Sequence, residues 1–280
     1  MMPQYPALLK QVRQNGTKID SRFGATIEVL GGCTVFQAGE LVARQGFNSS
    51  LALMELTLLL AGMHSPAALK AVAPKSDLAK FTEAMAYGPR ILPYLGRVVR
   101  ALRTDHLTRQ AVLYVGRPDE VTTNDLPCTS TIQFLRRDNL LYGVVTMRSW
   151  DLLLGLPYDL AMFGGLSLVV AHCLGLEPGP IQVTAGTMHM YAANMGMIPS
   201  AAPSGKRLAL KPDTIASVAG ISLAAMQAVN AILERAKAGE VGSSLWRQGN
   251  QLFDFVPVLP TPSANYSATI EPTSHLVNPD

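Results

Sequence analysis

Three short segments set reactive residue types among apolar neighbours: Pro127-Cys128-Thr129, Arg148-Ser149-Trp150-Asp151 and Gly155-Leu156-Pro157-Tyr158-Asp159. A cysteine after proline at a strand start, with an arginine on a nearby strand, has the parts of a thiolate nucleophile, because a guanidinium lowers a thiol pKa. Residue type alone favours the plainer alternative of a buried, inert cysteine. Glu55 is the second conspicuous group. It stands in LALMELTLLLAGM, where a carboxylate is expensive to bury unless it is paired or functional. Other polar residues are individually bland: Arg109 alone is a solvated strand-end charge, and Tyr87 and Tyr191 are amphipathic core tyrosines. His64, His106, His172 and His275 have no metal-ligand spacing and read as core or surface histidines. Cys33 and Cys173 are assigned to packing and the 12 methionines to core filling. No G-x-x-x-x-G-K-[ST], post-strand G-x-G-x-x-G, H-E-x-x-H or G-x-S-x-G motif occurs.

The surrounding patterns predict the elements that hold these residues. Residues 25–37 suggest strand, turn and strand, and 49–62 a buried apolar helix opened by Ser49 and Ser50 and closed by Gly62. Segments 76–86 and 93–103 read as amphipathic helices, the first capped by Ser76, and a strand follows from Thr108. STIQF and LLYGVVTM are β-rich runs separated by the turn residues RRDN. A buried helix from Tyr158 to Leu176 and a strand over 180–191 come next, then a helical region within 213–237 and a strand at 251–259. Five prolines in the last 25 residues predict an extended or mobile tail. The expected organisation is one catalytic α+β domain over residues 1–259 and a Pro-rich tail over 260–280.

With 280 residues, 48% of them hydrophobic, the chain can fill a sizeable core. A formal charge of +3 removes the electrostatic case for wrapping duplex nucleic acid, though a local anion site is compatible with it. Three dispersed cysteines make no disulfide framework or zinc pattern and suit a reducing cytoplasm. The N-terminus lacks a signal-peptide segment, and the most apolar stretches carry Glu55, Asp159 and His172, so neither export nor a membrane span is expected.

LPCTSTIQF, RSWDLLLGLPYD and GTMHMY, in this order and spacing, resemble the thymidylate synthase family of pyrimidine C5-transferases. The family's blocks read P-C-H with a nearby Q-F, R-S-x-D-x-x-L-G-x-P-F-N and G-D-x-H-x-Y. The resemblance runs from about Ser21 to Tyr191, with weaker upstream matches at Arg22, Glu55, Tyr87-Gly88 and Arg109. It implies a thymidylate synthase-like fold, a mixed β-sheet packed with helices, with one sheet face forming a homodimer interface. Cys128 then adds to pyrimidine C6 and makes C5 nucleophilic toward the methylene of 5,10-methylenetetrahydrofolate, the cosubstrate; no metal is implied. Arg22, Arg109, Arg148 and Ser149 match the nucleotide-phosphate site, Arg109 being contributed by the other subunit. His189 and Tyr191 match the pair that binds the sugar 3′-hydroxyl. Glu55 matches the carboxylate that organises proton transfers near the base, and Tyr87 and Asp159 complete the implied catalytic set. Asp151 matches a contact to the folate pterin, with Leu154 and Gly155 beside it. The implied partners are a pyrimidine nucleoside monophosphate and a second copy of the chain, without nucleic acid or membrane.

Departures from the pattern bear on substrate. Asp159 stands where thymidylate synthases have Asn, whose amide fits uracil N3–H and O4. Cytosine reverses both demands, and Asp sharing a proton with N3 meets them, as in deoxycytidylate hydroxymethylases and related cytidylate enzymes. FTEAMAYG lacks the family's tryptophan near the folate, Thr129 replaces the histidine after the nucleophile, and Thr187 replaces the aspartate of G-D-x-H-x-Y. Fewer bulky groups favour water over hydride at the transferred carbon, so the expected product is 5-hydroxymethyl-dCMP or 5-hydroxymethyl-CMP. Methyl transfer, thymidylate synthesis and a catalytically dead nucleotide-binding paralogue are the alternatives.

Overall fold

The computed structural model describes residues 4–41, 47–60, 64–72, 82–121, 126–198 and 208–209. Its first element is a helix the sequence analysis left out, α1 (Gln4–Asn15). Tyr5, Leu8, Leu9 and Val12 recur at helical spacing and are all buried, and the Tyr5 hydroxyl donates to the Leu152 carbonyl at 2.9 Å. Strand β1 (Thr17–Ser21) turns through Arg22-Phe23 into β2 (Gly24–Gln37), with Gly24 at φ +117°. The expected strand-turn-strand over 25–37 is one strand. Gly31 takes φ +66° and kinks it, yet Leu30↔Thr187 and Gly32↔Ala185 keep one register across the kink, because a long neighbouring strand templates both halves. The short β3 (Glu40–Leu41) follows.

Helix α2 (Ser49–Leu60) begins where expected, but its cap is Asn48, whose Oδ1 accepts the Leu51 N–H at 3.0 Å. Helix α3 (Pro66–Val72) was not anticipated. Most of the helix expected over 76–86 lies outside the described residues, and Glu83–Met85 is a single 3₁₀ turn. Helix α4 (Gly88–Thr104) starts five residues before the expected Pro93, since Pro89 suits the first turn and Pro93 is tolerated within. Strand β4 (Val112–Tyr114) is shorter than the run from Thr108 suggested.

Strands β5 (Thr129–Arg137) and β6 (Leu140–Met147) form the expected hairpin, with Asp138 at φ 51°, a left-handed conformation aspartate tolerates. The two-residue β7 (Trp150–Asp151) leads into α5 (Leu156–Leu174), closed by Gly175 at φ 66°. Although α5 is long and apolar enough to cross a membrane, most of it is buried inside the fold. Strand β8 (Glu177–Tyr191) completes the main sheet, and β9 (Leu208–Ala209) pairs β3. The helix expected within 213–237, the strand at 251–259 and the tail lie outside the described residues.

The sheet runs β1-β2-β8-β6-β5-β4, with β7 also on β8; β6–β8 and β7–β8 are parallel and the other pairs antiparallel. It is therefore mixed, and with its helices the chain is α+β. Ile132, Phe134, Leu141, Val145, Ile181 and Val183 line one buried face against α4 and α5. Tyr142, Val144, Gln182 and Thr184 alternate to the other, more exposed face.

Candidate active site

Hairpin register brings the first two site residues together. Thr129 pairs Met147, so Cys128 and Arg148 meet just beyond the ladder, and the Arg148 N–H donates to the Cys128 carbonyl at 2.8 Å. The guanidinium folds back onto the same loop: Nε donates to the Pro127 carbonyl at 3.1 Å and Nη2 to the Leu126 carbonyl at 2.8 Å. Arg148 thus clamps the segment carrying the nucleophile. Its charge favours the thiolate, but burial acts more strongly and, with Asp159 and Asp151, holds the Cys128 thiol above its ordinary pKa. The lowered pKa expected from the arginine is therefore not the net result in the unliganded protein.

Close to Cys128 stand Tyr87, Asp159 and Asp151, whose charges act on one another. Tyr87, buried ahead of α4, accepts the Thr129 N–H on its hydroxyl at 3.3 Å, and Thr129 is itself fully buried. Burial first, then the charges of Asp159 and Cys128, push the Tyr87 hydroxyl far above its usual range, so it stays protonated. Asp159, in the first turn of α5, accepts the indole N–H of Trp150 on Oδ2 at 3.0 Å. Burial, then Glu55, raise its pKa from 3.8 to about 8 against the lowering by that hydrogen bond. Asp159 is accordingly a neutral acid near pH 7. Gly155 permits this packing, since a Cβ there would stand 3.2 Å from Asp159 Oδ2 and 3.1 Å from the Asp151 carbonyl oxygen.

Glu55 projects from α2 toward this group and meets a residue the sequence analysis set aside. His64 Nε2 lies 3.4 Å from Glu55 Oε1, while His64 Nδ1 accepts the Gly88 N–H at 3.2 Å. That backbone donor requires a lone pair on Nδ1, so the neutral ring carries its proton on Nε2, facing the carboxylate. His64 is 1% exposed. The pair lies nine positions apart in sequence, and no periodic pattern announces it.

The second group of site residues lines the end of β8. Register Asp151↔His189 sets β7 beside β8, the Ser149 hydroxyl lies 3.3 Å from His189 Nδ1, and Thr187 donates to Ser149 at 3.2 Å. His189 and Tyr191 meet edge to face at 5.3 Å. Burial lowers the His189 pKa and raises that of Tyr191, which hydrogen-bonds Ser21 of the hairpin bearing Arg22. Arg22 stacks over Phe23 at 4.4 Å and is exposed. Asp151 Oδ1 accepts the N–H groups of Leu153 and Leu154 at 2.8 and 2.9 Å, folding the chain through Gly155 into α5. Arg109 is exposed ahead of β4 at the opposite sheet edge, where its carbonyl accepts from Gln133. Among the described residues no cluster of three His, Cys, Asp or Glu groups suits a metal ion.

The mixed sheet thus sets a cysteine tied to an arginine beside a protonated acid and a Glu-His pair. The family model described as Thymidylate synthase matches residues 84–244, more than half the chain. The chain belongs to the thymidylate synthase family. It is similar to "Thymidylate synthase 1/2" of Encephalitozoon cuniculi (strain GB-M1), at 30% identity over 111 residues, which are 39% of this chain and 38% of that protein. The match begins downstream of Arg22 and Glu55 and continues beyond Tyr191, where the motif spacing ends.

Proposed function

We propose that the protein is a pyrimidine nucleotide C5-hydroxymethyltransferase, converting dCMP or CMP to the 5-hydroxymethyl nucleotide with 5,10-methylenetetrahydrofolate and water. Cys128 Sγ bonds to C6, and the displaced ring electrons make C5 nucleophilic toward the methylene carbon. Tetrahydrofolate leaves and C5 loses its proton, giving an exocyclic methylene. Water adds to that carbon, and Cys128 leaves as thiolate while the ring double bond re-forms. Glu55, oriented by His64, and the Tyr87 hydroxyl are the groups suited to these proton transfers. Asp151, with Leu154 and Gly155, is proposed to meet the folate, and Ser149, His189 and Tyr191 the sugar side of the nucleotide. The phosphate falls to Arg22, Arg148 and, from the partner of a homodimer, Arg109.

The single observation carrying the cytidylate assignment is Asp159, half-buried against Trp150 and protonated up to about pH 8. Its acid O–H suits the acceptor at cytosine N3, and its other oxygen suits the N4 amino group. The alternative assignment, to dUMP, needs the opposite arrangement of the same acid, with an acceptor oxygen facing N3–H and the acid O–H facing O4. Thr129 in place of histidine and the absence of tryptophan from FTEAMAYG support water as the final acceptor. Incubation with 5-fluoro-dCMP and methylenetetrahydrofolate tests the chemistry: the expected result is a covalent ternary complex, absent in Cys128→Ser. No adduct on intact Cys128 would favour a nucleotide-binding paralogue without turnover.

A further inference from the structure

We propose that Trp150 sets which base Asp159 accepts, by fixing which carboxyl oxygen of Asp159 carries the acid proton. This rests on the cytidylate assignment above. The Trp150 indole N–H donates to Asp159 Oδ2 at 3.0 Å. Trp150 is 1% exposed, packs edge to face on Phe36 at 5.8 Å, and lies on β7 opposite Met188 of β8, so the ring is held in place. An indole nitrogen only donates, and the carbonyl oxygen of a carboxylic acid is a much better acceptor than its hydroxyl oxygen. The indole bond to Oδ2 therefore favours the neutral acid with its proton on Oδ1. Gly155 lacks the Cβ that would stand 3.2 Å from Oδ2, which leaves room for the indole bond to that oxygen.

This matters because a free carboxylic acid is ambiguous. With its proton on either oxygen it satisfies the acceptor-donor edge of cytosine or the donor-acceptor edge of uracil. With its proton fixed, it satisfies one of them in a given orientation. Replacing Asn by Asp changes the base site, and Trp150 makes that change selective. The titratable groups around Asp159 are Glu55 of α2, with His64 behind it, Asp151 of β7, Tyr87 ahead of α4 and Cys128 ahead of β5.

The intact protein permits a test without turnover. It has two tryptophans, Trp150 and Trp246, so Trp246→Phe assigns the Trp150 indole resonance in a ¹⁵N-labelled sample. The expected result is an indole proton shift that titrates between about pH 6 and pH 10, survives in Glu55→Gln and disappears in Asp159→Asn. A shift that does not titrate, or that titrates unchanged in Asp159→Asn, overturns the assignment. Trp150→Phe keeps the ring and removes the donor. Its kcat/KM preference for cytidylate over uridylate is expected to fall at least about tenfold, with the Asp159 limb of the pH profile moving upward. Equal losses on both nucleotides with an unmoved limb contradict the proposal. Absence of cytidylate turnover in the unmutated protein overturns the functional assignment instead, and the indole titration still decides the Trp150–Asp159 coupling.

Discussion

The residues proposed to handle the base and those proposed to hold the phosphate are placed in opposite ways. Trp150 and Asp159 come from one strand-loop-helix passage and Cys128 from the start of the neighbouring hairpin, and short hydrogen bonds hold them around the buried Trp150 ring. The arginines proposed for the phosphate lie apart, Arg22 on the first hairpin and Arg109 at the opposite sheet edge, both exposed, while Arg148 donates to the carbonyls of Leu126 and Pro127. Base chemistry needs fixed protonation states, which burial supplies. Phosphate capture tolerates mobile, solvated cations that settle on the ligand.

If that contrast holds, substitutions of the base residues alter chemistry and substitutions of the phosphate residues alter binding. The largest effect is expected for Cys128→Ser, which lowers kcat at least about 10³-fold while nucleotide affinity in a binding assay changes by less than about tenfold. Asp159→Asn is expected to shift the cytidylate-to-uridylate ratio of kcat/KM by about 10²-fold or more toward uridylate. The same variant sharpens the electrostatic side. Because Asp159 titrates near 3.8 when unfolded and about 8 when folded, the folded state holds the extra proton, and stability falls as pH rises between those values. Relative to the unmutated protein, Asp159→Asn should gain stability by a few kcal/mol at about pH 8, a gain that vanishes near pH 4 in urea titrations. His64→Ala should lower kcat about tenfold with KM little changed, whereas equal loss of thermal stability and KM would reduce His64 to packing. The smallest effect is expected among the phosphate residues: Arg109→Ala raises KM about tenfold with kcat nearly intact. At nucleotide concentrations well below KM, mixing Arg109→Ala with Cys128→Ser chains should restore part of the lost kcat/KM if Arg109 acts across a homodimer, and none if it acts within its own chain.

The same division decided what could be read from the sequence. The β5–β6 hairpin was legible because STIQF and LLYGVVTM are β-rich runs on either side of the turn residues RRDN, and its register brings Cys128 to Arg148. Asp159 was legible as a substitution within a motif, but its raised pKa was not, since it depends on Glu55 from a distant helix. Trp150 attracted no role because an indole in an apolar block looks like core, which most of its ring is. His64 was dismissed for lack of spacing to a ligand, although its partners are a helix terminus and a carboxylate. The Gly31-Gly32 pair misled in the other direction, suggesting a turn where long-range pairing to β8 holds one kinked strand.

The most direct test of the central claim is the product made from each nucleotide. Purified protein is incubated with methylenetetrahydrofolate and, separately, dCMP, CMP and dUMP, and the products are weighed by mass spectrometry. The account predicts that dCMP or CMP gains the elements of CH2O while dUMP is unchanged. Turnover of dUMP alone would contradict the role assigned to Asp159, and a gain of CH2 on cytidylate would contradict water as the final acceptor.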